Sequence, residues 1–157
     1  MGIRKDLVEK YGVKFVVPAP FPDRISIRKA LEGLDPASED EICKEPYSPR
    51  YMSRNRKRGW DDVSFTVPAM AKQVPLWPGS PDMVKVGKDH WQFGDEGITR
   101  RLSYKEAAAI QTFPRDMVFC GNLTSKYKQI GNAVPCELAK VVGEELYRIL
   151  SEVEGQG

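Results

Sequence analysis

The twelve prolines set the strongest limits on how this 157-residue chain can fold. Proline lacks the backbone N–H that a helix interior or a central strand requires. Residues 14–22, "KFVVPAPFP", hold three of them, which predicts an extended connector after a short amphipathic piece. Residues 72–83, "KQVPLWPGSPDM", hold three more and are expected to cross a surface without regular structure. Regular elements are therefore expected mainly outside these two stretches.

A short helix and a long loop are predicted between the two proline-rich stretches. In "ISIRKALEGLD" (25–35), Ser26 is the expected N-cap, the apolar residues share one face, and Gly33 and Pro36 mark the end. Residues 35–62 are polar enough to predict a loop.

Three short segments have the composition of strands. "SFTVPA" (64–69) reads as a strand until its proline. "MVKV" (83–86) and "HWQF" (90–93) are separated by "GKD", a turn signal, and are expected to form two short strands.

The last third predicts two helices. Ser103 and Glu106 have the spacing of a capping box, in which each side chain covers an orphan amide of the first helical turn, and Pro114 limits the helix that follows. A final helix is expected to start near Pro135, because proline is pre-shaped for a first turn. Its apolar stripe has the spacing of a buried helix face and consists of Leu138, Val141, Val142, Leu146, Ile149 and Leu150.

Composition excludes several classes of protein. No apolar run approaches the roughly 20 residues needed to span a bilayer. The start of the sequence has no apolar segment typical of a signal peptide. Three widely spaced cysteines with no CxxC and one histidine argue against a disulfide framework and a zinc site, which predicts a reducing, cytoplasmic location. The histidine, His90, has no acid or second ligand near it in sequence and is expected at the surface or in packing.

Charge is segregated although the net charge is only +2. Residues 35–45 are acidic, whereas residues 49–60 contain no acid and five cations, Arg50, Arg54, Arg56, Lys57 and Arg58. This pattern favours one face that binds an anion. The alternative is an ordinary solvated loop.

Two blocks of the last third resemble consecutive motifs of the DNA cytosine-5 methyltransferases. "RRLSYKEAAAIQTFP" (100–114) is similar to the ninth motif of that family, and the matching residues are Arg100, Leu102, Glu106, Ala108, Gln111, Phe113 and Pro114. "KYKQIGNAVP" (126–135) is similar to the tenth motif from Gln129 to Pro135. Ser103 and Lys105 depart from the usual threonine and arginine. Both blocks occur in the family's order and at its distance.

A weaker resemblance extends over most of the chain. "GIRKDL" (2–7) is similar to the end of the eighth motif, "SIRKALEGL" (26–34) to the opening of the target-recognition region, and "SFTVPA" to its Thr-Val element. The cofactor-binding Phe-x-Gly-x-Gly turn, the Pro-Cys-Gln loop and the Glu-Asn-Val motif are absent from these residues. The resemblance therefore implies the small subunit of a split enzyme, or a fragment of an intact one.

The implied architecture is an α+β chain in three parts. Residues 1–23 would be the end of the catalytic-lobe segment with its connector, residues 24–115 a recognition region with motif nine, and residues 116–157 motif ten with the last helix. The recognition region is expected to be small, irregular and β-rich, and to be followed by two helices. The last helix would dock on a Rossmann-like catalytic lobe supplied by another chain. We therefore expect the isolated chain to expose an apolar patch around Leu138, Val142 and Ile149, or to hide it by self-association.

The implied function is methyl transfer from S-adenosylmethionine to C5 of cytosine in double-stranded DNA, with a partner chain that carries the catalytic cysteine. In the family a thiolate adds to C6 of the extruded base. This chain would be inactive alone and would complete the cofactor site with Asn132, Ala133 and Val134, although Asn132 could instead only cap the last helix. The alternatives are a non-catalytic DNA-binding module derived from such an enzyme, or a remnant that binds nothing specific.

Individual roles follow from the same resemblance. Contacts to DNA are expected from Arg54, Arg56, Lys57, Arg58, Thr66 and Val67. Trp60 would either stack on a base or pack, and Thr66 and Val67 could instead belong to ordinary strand core. Arg100 would organise the recognition region by hydrogen bonds across to it, or lie at the surface. Glu106 is assigned to helix capping. Cys136 is not expected to be a nucleophile, because Glu137 follows it and no base accompanies it.

Overall fold

Two units of chain make up the computed structural model, which describes residues 3–20 and 22–155. The central unit comprises residues 23–134, and the terminal unit comprises residues 1–22 and 135–157. Residues 1, 2 and 21 of the predicted first segment lie outside the described residues. The elements of the central unit are α2 (Ile27–Leu31), β1 (Met83–Gly87), β2 (His90–Phe93), α3 (Tyr104–Ile110) and α4 (Leu123–Asn132), with 3-10 turns at Glu39–Glu41 and Ala71–Gln73. The terminal unit holds α1 (Lys5–Tyr11) and α5 (Cys136–Glu154).

The capping signals in the sequence are confirmed. The Ser26 hydroxyl accepts a hydrogen bond from the Lys29 amide at 3.3 Å, at the start of α2. At α3 the Glu106 amide donates to the Ser103 hydroxyl at 3.1 Å, and the Ser103 amide donates to the Glu106 carboxylate at 2.7 Å. Pro135 is the N-cap of α5. The two serine caps each pair an amide that the first helical turn would leave unsatisfied, whereas Pro135 makes no side-chain capping bond.

The predicted hairpin is also confirmed. Strands β1 and β2 pair in antiparallel fashion, with Met83 opposite Phe93 and Gly87 opposite His90. Asp89 in the turn has a φ of 51°, a left-handed conformation that Asp tolerates better than most residues. Among the described residues these two strands form the only sheet, so the expected β-rich recognition region is wrong.

Two further predictions are wrong. Residues 64–69 form no strand, because among the described residues no strand lies beside them to pair with. Three helices, not two, follow the hairpin, since α4 forms between the two predicted helices. Asn122 caps α4 by accepting a hydrogen bond from the Ser125 amide at 2.9 Å.

The core of the central unit joins the polar loop to the helices that follow. Tyr127 of α4 is fully buried, and its hydroxyl donates to the Leu102 carbonyl at 2.7 Å and lies 3.1 Å from the Glu41 carbonyl. Cys43 and Tyr51, both from the predicted loop, are buried as well. Residues 35–62 therefore lack regular structure apart from one 3-10 turn, but they are packed and not simply solvated.

The terminal unit keeps much of its apolar surface in solvent. Ile149 and Val153 of α5 are buried, whereas Leu138 is 53% exposed and Tyr147 75% exposed. An open cavity of about 300 Å³ is lined mostly by apolar residues of the connector and the first turns of α5, and its wall includes Phe15, Val17, Pro18, Leu138, Val141 and Val142. The expected exposed patch is confirmed at Leu138, but Ile149 does not belong to it. No described helix is both long and apolar enough to cross a membrane.

Candidate nucleic-acid interface

An open cavity of about 500 Å³ in the central unit brings together arginines and the segment that contains Thr66. We call it the arginine cleft. One part of its lining is the loop of residues 50–56, and another part is the segment of residues 65–70. The lining residues are Arg50, Arg54, Asn55, Arg56, Phe65, Thr66, Pro68, Ala69, Met70, Gln73 and Pro75. Within that lining there is no acidic side chain, which favours an anionic ligand.

Arg56 is held in place by main-chain and side-chain acceptors. Its guanidinium donates to the carbonyls of Tyr51 at 3.0 Å and Arg50 at 3.2 Å, and to the amide oxygen of Gln73 at 2.9 Å. It also lies over the Tyr51 ring, 4.9 Å from the centroid. Burial, with Arg54 nearby, lowers the pKa of Arg56 from its ordinary value. No carboxylate accepts from it in these contacts, so its positive charge is available to a ligand.

The other predicted cations differ in their surroundings. Arg54 is exposed and lines the cleft. Lys57 is ion-paired with Asp82, and Arg58 covers the Phe65 ring at 4.3 Å from the centroid. Lys57 and Arg58 are therefore not in the lining, whereas Arg50, which belongs to the same basic run, is.

The Thr-Val element is divided between the cleft and the core. Thr66 is exposed and lines the cleft. Val67 is only 3% exposed and packs in the main apolar cluster with Val74, Leu102 and Ile130. A direct contact of the Val67 side chain with a ligand would require this packing to open.

Arg100 makes its side-chain hydrogen bonds locally. Its guanidinium forms a two-pronged pair with the Glu106 carboxylate at 2.7 and 2.8 Å and lies 4.3 Å from the Trp77 ring centroid. Its main chain does reach the preceding region, because the Trp77 amide donates to the Arg100 carbonyl at 2.9 Å. Glu106 thus completes the capping box and holds Arg100 at the same time.

Arg101 makes the long-range side-chain bonds that the sequence assigned to Arg100. It is 1% exposed, and its guanidinium donates to four carbonyls over distances between 2.8 and 3.4 Å, those of Cys43, Glu45, Pro46 and Lys72. The rings of Tyr47 and Tyr51 lie against it, with centroids at 4.0 and 5.1 Å. Sequence reasoning missed this residue because two adjacent arginines in "RRLS" carry no local signal that tells them apart.

The Gln111 side chain ties the end of motif ten to motif nine. The amide nitrogen of Gln111 donates to the Ile130 carbonyl at 3.1 Å and lies 3.4 Å from the Ala133 carbonyl. Asn132 and Val134 are exposed, and Ala133 is half-buried. No side chain caps α5, so Asn132 is not its N-cap.

The remaining candidates have ordinary surroundings. Trp60 packs edge-on against Trp77, with 5.7 Å between ring centroids, and Arg28 lies over it. His90 is exposed, and Cys136 is half-buried at the first residue of α5. In the part of the chain that the structure describes, no group of three His, Cys, Asp or Glu side chains could hold a metal ion.

The class of protein follows from comparison with known families. The model of the C-5 cytosine-specific DNA methylases matches residues 25–148, and the chain belongs to that family.

Particular relatives are the type II methyltransferases M.BsuRI of Bacillus subtilis, M.MthTI of Methanothermobacter thermautotrophicus and M.NgoPII of Neisseria gonorrhoeae. They are 50%, 37% and 33% identical to this chain over 92%, 98% and 96% of its length. The matches cover 36%, 51% and 49% of the relatives, so the chain spans about a third to a half of their length.

Proposed function

We propose that this chain is the DNA-recognition and cofactor-site-completing subunit of a DNA cytosine-5 methyltransferase. The observation that carries the proposal is the arginine cleft, which Thr66 lines together with Arg54 and Arg56, in a member of this family. A partner chain would contribute the Pro-Cys-Gln loop, and methyl transfer would require both. A fragment of one longer enzyme would use the same residues in the same roles.

The cleft is suited to a phosphate backbone. Arg54 and Arg50 supply exposed charge, and Arg56 supplies a guanidinium whose orientation is fixed before binding. Fixed donors lose less conformational entropy on binding than mobile ones. Phosphate contacts set position, and a guanidinium can also read a guanine edge. Lys57 would contact DNA only if DNA displaced Asp82 from it. Arg58 would likewise contact DNA only if it left the Phe65 ring.

Residues 132–134, at the end of motif ten, would take part in cofactor binding. The Asn132 amide offers a donor and an acceptor to the polar end of the ligand, and Val134 offers apolar contact. Gln111 would keep this segment in place through its bonds to the backbone. When bound, S-adenosylmethionine supplies the methyl group, and these residues only hold and orient it.

The terminal unit supports the need for a partner. Leu138, Tyr147 and Leu150 of α5 are exposed apolar side chains on one helix, and Val16 and Val17 of the connector are also exposed. Leu138 and Val17 also line one apolar cavity together with Val141. Contiguous exposed apolar surface of this kind marks interaction sites. We assign these side chains to the contact with the catalytic lobe.

Reconstitution tests the proposal directly. The chain is mixed with a candidate partner that carries the Pro-Cys-Gln motif, labelled S-adenosylmethionine and duplex DNA, and methyl transfer is measured. Transfer is expected from the pair only. Transfer by this chain alone would refute the split-enzyme role. Salt-dependent DNA binding without transfer by a stable pair would favour the non-catalytic DNA-binding module instead.

A further inference from the structure

Helix α4 comes unusually close to one wall of the arginine cleft at Gly131. A Cβ atom on Gly131 would lie 2.3 Å from the Ala69 nitrogen, 2.4 Å from the Pro68 carbonyl carbon and 2.5 Å from the Ala69 Cα. Real Cβ atoms essentially never approach other atoms to within 3.0 Å, and all three neighbours are backbone. Gly131 is therefore required for space, since it is not among the glycines with positive φ.

The backbone that faces Gly131 belongs to the wall of the cleft. Thr66, Pro68, Ala69 and Met70 all line the cavity. Val67 and Ala71, on either side of the contact, are each 3% exposed and packed in the core. Val67 and Ala71 are fixed in the core. A push on the backbone of Pro68 and Ala69 therefore displaces the exposed cleft residues next to them, Thr66 and Met70.

Helix α4 cannot retreat to relieve such a push. Ile130, which precedes Gly131, is fully buried, and Tyr127 is anchored by its hydroxyl in the same core. Gln111 holds the end of the helix through the Ile130 carbonyl. Closely packed interiors transmit strain and do not absorb it.

We propose that Gly131 is a positioning residue for DNA binding: its missing side chain sets how far the Thr66–Met70 wall stands from Arg54 and Arg56 across the cleft. The inference rests on the proposed function, because it takes duplex DNA as the ligand of the cleft. It gives the motif-ten glycine a role on the DNA side of the molecule, where it touches no ligand and acts through Thr66 and its neighbours.

The test compares Gly131→Ala with Gly143→Ala, a glycine of α5 that has open space around its would-be Cβ. Thermal unfolding, amide hydrogen exchange and the affinity for a mixed-sequence duplex are measured on the whole chain. Gly131→Ala is expected to speed exchange at residues 66–70, to leave the hairpin at 83–93 unchanged, and to weaken duplex binding about tenfold or more. Gly143→Ala is expected to leave exchange at residues 66–70 and duplex affinity unchanged, and to raise thermal stability slightly, because alanine favours a helix interior more than glycine does.

Thr66→Ala provides the readout that a merely structural role would not move. If Gly131 acts through Thr66, the double variant binds duplex about as weakly as the weaker single variant, since the two effects are not additive. Full additivity would overturn the proposal, as would a folded Gly131→Ala chain with the affinity of the natural sequence.

The proposal is also tested if Gly131→Ala does not fold or if the natural chain does not bind duplex. If Gly131→Ala does not fold, Gln111→Met takes its place, because it removes the bonds that hold the end of α4 without adding a clash. Faster exchange at 66–70 with weaker duplex binding then supports the proposal, and natural behaviour in both overturns it. If the natural chain shows no salt-dependent duplex binding, the proposed function fails first and this inference fails with it.

Discussion

The central and terminal units differ in how completely each one buries its own apolar side chains. In the central unit, a polar loop, a hairpin and three short helices cover a core that includes Tyr51, Leu76 and Tyr127. In the terminal unit, the described part of α5 buries Ile149 and Val153 but leaves Leu138 and Tyr147 exposed. The longest helix of the protein thus belongs to the unit with the least core.

This contrast shows that regular structure and self-sufficiency are separate properties. The central unit has little regular structure, yet its buried polar side chains are bonded, and no unsatisfied buried side-chain nitrogen or oxygen occurs among the described residues. The terminal unit has a 19-residue helix whose apolar surface is only partly covered. The first arrangement covers its own core, and the second leaves apolar side chains uncovered. Substitutions in the two units should therefore have very different effects.

The largest effect is expected at Arg101. Replacing Arg101 by Met leaves the buried Cys43 carbonyl and three partly buried carbonyls without their donor, which should lower the free energy of unfolding by about 4 kcal/mol or more. All three tryptophans lie in the central unit, so urea unfolding followed by tryptophan fluorescence reports on it. The matched control, Arg54→Met at an exposed position, should cost less than about 0.5 kcal/mol. Equal decreases in the free energy of unfolding for the two variants would contradict the stabilising role of Arg101.

A smaller effect is expected at the Arg100–Glu106 pair. Glu106→Gln keeps the shape of the side chain but leaves a largely buried guanidinium without its charge partner, at a cost of about 2 to 3 kcal/mol. The corresponding change in the terminal unit, Glu152→Gln beside Arg148, affects an exposed pair and should cost less than about 0.5 kcal/mol. Urea unfolding monitored by far-ultraviolet circular dichroism compares both. If Glu152→Gln lowered the free energy of unfolding as much as Glu106→Gln, the expected difference between the two units would be wrong.

Tyr127 should show an intermediate effect and a dependence on alkali. Tyr127→Phe loses the bond to the Leu102 carbonyl, which is worth about 1 to 2 kcal/mol. Burial raises the pKa of Tyr127 and of Tyr51, so the folded chain keeps phenolic protons that the unfolded chain releases above about pH 10. Stability is therefore full below that pH and falls as the pH rises further.

Denaturant unfolding between neutral pH and pH about 11 measures that slope. The slope should be shallower in Tyr127→Phe than in the natural chain. Tyr147→Phe, at an exposed position of the terminal unit, should not alter it. A natural chain whose stability did not fall in alkali would show that neither phenol is shielded from solvent.

The smallest effect on stability is expected on the exposed face of α5. Leu138→Ser should change the free energy of unfolding by less than about 0.5 kcal/mol, because the side chain is already half in solvent. It should nevertheless weaken self-association of the isolated chain, which sedimentation velocity detects. A loss above about 1 kcal/mol would mean that this face is part of the unit's own core.

Local signals in the sequence predicted the elements whose cause is local. Ser26, Ser103 and Pro135 each mark a helix start because capping involves only neighbouring residues. Helix α4 was missed although its signal was present: Asn122 precedes an apolar series formed by Leu123, Tyr127 and Ile130. The family resemblance assigned this segment to motif ten, and no helix was predicted in it.

The rest depended on contacts between residues distant in sequence. Val67 has the composition of a strand residue, but a strand also needs a partner, which composition does not specify. Arg54 and Arg56 were predicted to act alike, yet one is exposed and the other is bonded to three acceptors. Arg100 and Arg101 are chemically identical neighbours, and only the packing of residues 43–47 decides which of them is buried.

The way Arg101 is anchored has a consequence for how such a chain can diverge. All of its hydrogen bonds are accepted by main-chain carbonyls. Carbonyls are present whatever residue occupies a position, so substitutions at Glu45 or Lys72 leave those acceptors in place. Exposed side chains of the loop that Arg101 anchors can therefore change during evolution while the backbone conformation of that loop stays the same. An anchor of this kind lets one scaffold explore new ligand preferences without first losing its shape.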